Sequence, residues 1–188
     1  MTEHGHGTQR ADESDPLDQF SDCHAGIMRQ LQALGELPAL AEAAARARRS
    51  AEATLRFFDD VIYEHHAQEE QELFPAVLAS AVAGEEHDRV RGIVEQLTRE
   101  HREVEATWAK LAPALKAIAK GRDASFDAAA IEALVQRYRA HAAFEESEFL
   151  PLSETILGRD SQHKAALGLS LHMRHAVPDA LARFPARI

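Results

Sequence analysis

Apolar residues recur along this chain at intervals of three and four, with no sustained alternation of period two. Leu17, Phe20, Ile27, Met28, Leu31 and Leu34 form a first stripe, and Leu55, Phe58, Val61, Ile62 and Leu73 a second. Val90, Ile93, Val94, Leu97, Val104, Trp108, Leu111 and Leu115 form a third; Ile131, Leu134, Val135, Tyr138, Phe144 and Phe149 form a fourth. Such spacing lines one face of an α-helix. Asp15 and Pro16 suit an N-cap and a first helical position, and Gly35 closes that run. Pro75 is expected to end or kink the second helix. The third, Glu85 to Ala119, should bend at Pro113, and the fourth starts near Ser125 and stops at Pro151. A last helix is expected at 161–176. The pattern predicts an all-α fold: an antiparallel up-down four-helix bundle over 15–155, with a C-terminal helical extension, 156–188, packed on it. Residues 1–14 are polar and read as a disordered tail.

Each stripe is interrupted by one histidine: His24, His65, His101 and His141. The first pair is 41 residues apart and the second 40. For His24 and His65 to stand level in an antiparallel pair, the connection between their helices must absorb residues. A break is therefore expected within 35–50, with a short helix at 38–48 and Ser50 capping the working second helix. His101 and His141 are level without such an adjustment, at about 18 and 16 residues from the intervening turn.

Composition narrows the function classes. The formal charge is −10, from 31 acidic and 21 basic side chains, and no basic stripe is present for nucleic acid. The single cysteine, Cys23, permits no internal disulfide and reads as structural or incidental. No run approaches the ~18 apolar residues of a membrane span. The expectation is a soluble, cytoplasmic protein. Eleven histidines are many for this length, and their placement carries the chemistry.

The segment from His65 to Pro75 recurs from His141 to Pro151. Both hold His-x-x-x-Glu-Glu, a further Glu, and a proline in the same places. Residues four apart on a helix share a face, roughly 6 Å apart, so His65 pairs with Glu69 and His141 with Glu145. The chain thus contains two copies of one unit, a helix with one histidine followed by a helix with His-x-x-x-Glu. Packed face to face, they bring four imidazoles and two carboxylates to the bundle centre. Two octahedral ions need about twelve coordination positions; this set, with a bridging oxygen, leaves about two open. Imidazole with carboxylate suits iron, manganese or zinc. A single histidine on an apolar face is ordinarily a hydrogen-bonded core residue, but uncompensated burial of two carboxylates costs several kcal/mol, roughly, and bound cations remove that cost. Glu70, Glu72, Glu146 and Glu148 lie off the stripes and read as a solvated face. His66 and Glu70 form a second i, i+4 pair, rotated about 100° from the first, as outer contacts or solvated residues. Tyr138, one turn before His141, serves core packing or lines the pocket, and His172 and His175 read as surface or capping residues, or one of them closes over the site.

These motifs, ending in Leu-Phe-Pro and Phe-Leu-Pro, resemble the hemerythrin-like (HHE cation-binding) family over roughly residues 15–155. The resemblance implies that His24, His65, His101 and His141 are terminal iron ligands and that Glu69 and Glu145 bridge two irons in an oxygen-bridged centre. The oxygen-carrying members place two histidines four apart on the third helix; here His101 has Glu105 at i+4 and Leu97 at i−4. The four-His, two-Glu set is closer to the bacterial iron-cluster repair proteins and iron-sensing domains, although no cysteine-bearing N-terminal domain like that of the repair proteins is expected. Glu105 fills the vacated ligand position or stays exposed. The resemblance implies binding or sensing of dioxygen, nitric oxide or iron in a stress response. The alternatives are a di-iron enzyme acting in peroxide reduction, oxidation or iron delivery, and a structural bundle with a zinc site. No acid, base or substrate pocket in the sequence specifically supports the enzyme.

Overall fold

A computed structural model describes residues 16–159. The expected tail at 1–14, the helix at 161–176, and His172 and His175 lie outside them. All regular structure among the described residues is helical. None of these helices is long and apolar enough to cross a membrane. The chain divides into two compact units, Met1–Ala45 and Arg46–Ile188.

The first helix, α1, runs unbroken from Pro16 to Phe57, so the break expected within 35–50 does not form in the helix. Gly35 and Pro38 weaken it locally, by about 1 and 3 kcal/mol. The residues that follow, Ala39 to Ala47, are largely alanine, leucine, glutamate and arginine, all strong helix formers that carry the helix onward. The unit boundary nevertheless falls in the stretch where the break was expected. On the first unit the stripe Leu17, Phe20, Ile27, Met28, Leu31 and Leu34 is exposed.

The second unit packs three helical rods. The first continues α1 through a π-helical turn at Phe58–Ile62, α2 (Tyr63–Gln68), a second π turn at Glu69–Leu73, and α3 (Phe74–Ser80). The second rod is α4, Glu85–Ala119. The third comprises α5 (Ala128–Phe144), a π turn at Glu145–Phe149, and α6 (Leu150–Leu157). Gly84, at φ 104, turns the chain into α4, and Gly121, at φ 70, closes its far end. Its N–H donates to the Ile118 carbonyl at 2.8 Å and that of Arg122 to Ala117 at 3.0 Å, a glycine-type helix stop. Asp127 caps α5, accepting from the Ala130 N–H at 3.1 Å.

Pro75 and Pro151 do not stop their helices. Each stands one residue beyond a π turn, in the first turn of the next α segment, where a missing N–H costs little. Pro113 is accommodated inside α4.

Two apolar clusters hold the rods together. Phe58, Ile62, Val104, Trp108, Leu111, Leu115 and Leu134 form one, with Phe58 stacked on Trp108 at 3.7 Å between ring centres. Leu73, Phe74, Val77, Val90, Leu97, Phe149, Ile156 and Leu157 form the other. On α4, Leu97 belongs to the second cluster and Val104 to the first, and His101 lies between them. A layer of buried polar side chains therefore separates two dry ones: His66, Glu69, His101, His141 and Glu145.

Candidate metal centre

The π turns select which side chains reach the polar layer. Among the buried positions of the first rod, Phe58, Ile62 and His66 follow in steps of four, as do Glu69, Leu73 and Val77, with Phe74 buried beside them. An α-helix overshoots by about 40° for each step of four, and a π turn takes up the excess. The third rod keeps the same rhythm through His141, Glu145, Phe149, Ser153 and Leu157. The π turns at Glu69–Leu73 and Glu145–Phe149 each begin on a glutamate of the repeated motif.

Three buried histidines share one geometry. His66 Nδ1–H donates to Glu105 Oε1 at 3.0 Å, His101 Nδ1–H to Glu70 Oε1 at 2.8 Å, and His141 Nδ1–H to Glu100 Oε2 at 3.0 Å. An ionised carboxylate only accepts, so each Nδ1 carries the proton, and in a neutral ring Nε2 is left with a bare lone pair. All three Nε2 atoms are buried without a hydrogen-bond partner. One ring nitrogen from each of these histidines lies within 4.8 Å of the other two. Ring packing holds them there: His66 stacks on His101 at 3.9 Å, and His141 meets His101 edge-on at 4.8 Å.

A second group adjoins the first. His65, Glu69 and Glu145 bring ligand atoms within 4.8 Å of one another. Glu69 divides its oxygens: Oε1 faces His65 Nε2 at 3.3 Å, and Oε2 faces His101 Nε2 at 3.2 Å. Oε2 is also buried without a hydrogen-bond partner. One carboxylate thus spans the two groups.

The electrostatics point the same way. Burial, then the neighbouring His101 charge, pushes His65 down to about 4, and the same two causes hold His66 at about 4 against the opposing pull of Glu105. Both rings are neutral near pH 7 and offer lone pairs. Burial pushes Glu69 up to about 7. Burial and the Glu69 charge push Glu145 up to about 8. Burial and the same two carboxylates push the Tyr138 hydroxyl up to about 12. Burial would raise Glu105 as well, but its hydrogen bonds to His66 and Arg102 hold it below the ordinary range. The layer therefore gathers imidazole lone pairs around two carboxyls that burial drives to keep their protons. Each unsatisfied buried acceptor costs about 1–3 kcal/mol, which a cation at the centre removes. Imidazoles whose far nitrogen donates to a carboxylate are the usual form of a metal-ligating histidine. The residues fit a metal.

Of the six residues expected from the sequence, His65, Glu69, His101, His141 and Glu145 converge in the second unit. His24 lies on the first unit, exposed, with its ring edge-on to Phe20 at 5.0 Å. His66, read from the sequence as an outer or solvated residue, is buried within the cluster. The repeated steps of four after Phe58 were the signal for it. Glu70 departs from the solvated face to hold His101, whereas Glu72, Glu146 and Glu148 are exposed as expected. Glu105 takes neither position foreseen for it and instead holds His66. Nothing in the sequence distinguishes Glu70, Glu100 and Glu105 from solvated glutamates.

Comparison with known proteins agrees with this chemistry. The family model for the hemerythrin HHE cation binding domain matches residues 15–153. An uncharacterised protein of Haemophilus influenzae is 25% identical over 160 residues, covering 81% of this chain and 90% of its own. No solved structure matches.

Proposed function

The chain belongs to the hemerythrin HHE cation-binding family, and on that premise we propose that it is a non-haem iron protein whose second unit holds a di-iron centre. The supporting observation is the trio of lone pairs on His66, His101 and His141, each set by a carboxylate on the opposite ring nitrogen. His66, His101 and His141 would hold one ion, and His65 and Glu145 the second; Glu69, with one oxygen toward each group, would serve both. His24 remains part of the sequence-derived set, and its membership is decided by the metal content of His24→Ala. Iron bound this way supplies affinity for dioxygen or nitric oxide, which we take as the small-molecule partner in a cytoplasmic binding or sensing role during stress. The chain's own residues orient the ligands, and the flanking apolar clusters exclude water from them.

The test is the visible absorption of anaerobically iron-loaded protein before and after exposure to air, with iron counted per chain. About two irons per chain and new ferric bands in air support the reading. Reversal of those bands under vacuum indicates ligand binding, and their persistence indicates oxidation or sensing. Sustained turnover with peroxide moves the assignment to an enzyme. Retention of zinc alone, with no bands, replaces the iron reading with a structural zinc site.

A further inference from the structure

We infer that Arg102 is a positioning residue that sets two of the three inward-facing histidines from outside the site. Its side chain is 56% exposed and touches none of the clustered ligands. Nη1 donates to Glu105 Oε1 and Oε2 at 3.0 and 2.9 Å, and Nη2 donates to Glu70 Oε2. Those two carboxylates receive the Nδ1 protons of His66 and His101. One guanidinium fork therefore locks both acceptors, and each acceptor fixes a tautomer and a ring direction. A planar fork with several donors suits this task, and a lysine ammonium does not replace it.

The third histidine provides the contrast. His141 donates to Glu100, whose other oxygen accepts from the Gln96 amide at 2.9 Å, and the structure gives no contact between Arg102 and this pair. A merely structural ion pair at the surface would leave all three rings alike. A positioning role separates His66 and His101 from His141.

The link to ligand binding rests on the metal reading above, but the tautomers do not, so the two stand or fall separately. The experiment records imidazole nitrogen resonances of metal-free protein labelled at histidine, for the wild type, Arg102→Gln and Arg102→Lys, with helix content checked by circular dichroism. The expected result is that Arg102→Gln loses the Nδ1–H tautomer at His66 and His101 and keeps it at His141. Arg102→Lys restores at most one of the two. Cobalt(II) titration of the same proteins should show affinity weakened about 10- to 100-fold in Arg102→Gln, the range for an outer partner of a metal ligand. Unchanged tautomers at all three histidines overturn the inference. So does loss at all three together, which marks general loosening. A wild type that binds no cobalt, with the selective tautomer loss intact, overturns the metal reading and leaves the role of Arg102 standing.

Discussion

The two copies of His-x-x-x-Glu-Glu differ although their sequences nearly coincide. Around Glu145, the histidine of the motif, His141, is buried, and Glu100 of α4 holds its outer nitrogen. Around Glu69, the motif histidine, His65, is 27% exposed and meets only Glu69 among its carboxylate contacts; the next residue, His66, goes inward and finds Glu105. Both copies enter a π turn on their glutamate, but only the first has another π turn ahead of its histidines, at Phe58–Ile62. The neighbours differ as well. α4 presents a carboxylate to His141 and another to His66, and each ring buries where its Nδ1–H has an acceptor. A repeated motif therefore specifies which residues are available, and the adjoining helix specifies which one is used.

The largest expected break in this comparison is His101→Ala. His101 touches Glu69 and Glu70 and stacks on His66, so it serves both copies. Metal per chain, counted after dialysis, should fall to background while the helical circular dichroism persists.

Next, His66→Ala and His65→Ala rank the two adjacent histidines. If burial and the orphaned Nε2 decide, His66→Ala weakens metal binding beyond the roughly 100-fold upper range of outer-partner changes, and His65→Ala weakens it less. The reverse order in a competition titration would restore the motif histidine as the principal ligand.

Glu100→Gln removes the charged acceptor behind His141 alone. Metal affinity should drop about tenfold with the ligand set intact. An unchanged affinity would show that the carboxylate is packing rather than tuning.

The pH dependence of the metal-free protein sharpens the role of the glutamates. Glu69 and Glu145 have folded values of about 7 and 8, above the ordinary 4.5, so the stability tied to their protons is present at low pH and lost as pH rises through those values. His65 and His66, at about 4 against an ordinary 6.5, have the opposite slope, which is confined to pH 4 to 6.5. The slopes oppose each other up to about pH 6.5; above it the carboxylate slope of these four groups remains. Stability should fall between about pH 6.5 and 8, by on the order of 2 kcal/mol. Denaturant titrations check this, and both metal loading and Glu145→Gln should flatten the slope.

The smallest effect belongs to Glu146→Gln. Glu146 neighbours Glu145 in the motif but is exposed, so stability should stay within about 0.5 kcal/mol and metal content should not change. A loss of metal would show that the paired glutamates act together.

Much of this protein is readable from its residues alone. Helical periodicity needs only the side chains of one segment, so α4 falls on Glu85–Ala119 as its stripe, acidic first turn and following glycine imply. Histidines and glutamates at stripe positions announce a polar layer in an apolar core, and five of the six residues so marked converge. Tertiary structure decided the rest, because it turns on partners far away in sequence. Glu105 meets His66 across 39 residues, and Glu70 meets His101 across 31. A one-residue choice between His65 and His66 depends on a π turn and on which ring finds an acceptor for its Nδ1–H. No local pattern encodes that choice, since an exposed glutamate and one that orients a buried imidazole have the same side chain and differ only in what packs against it.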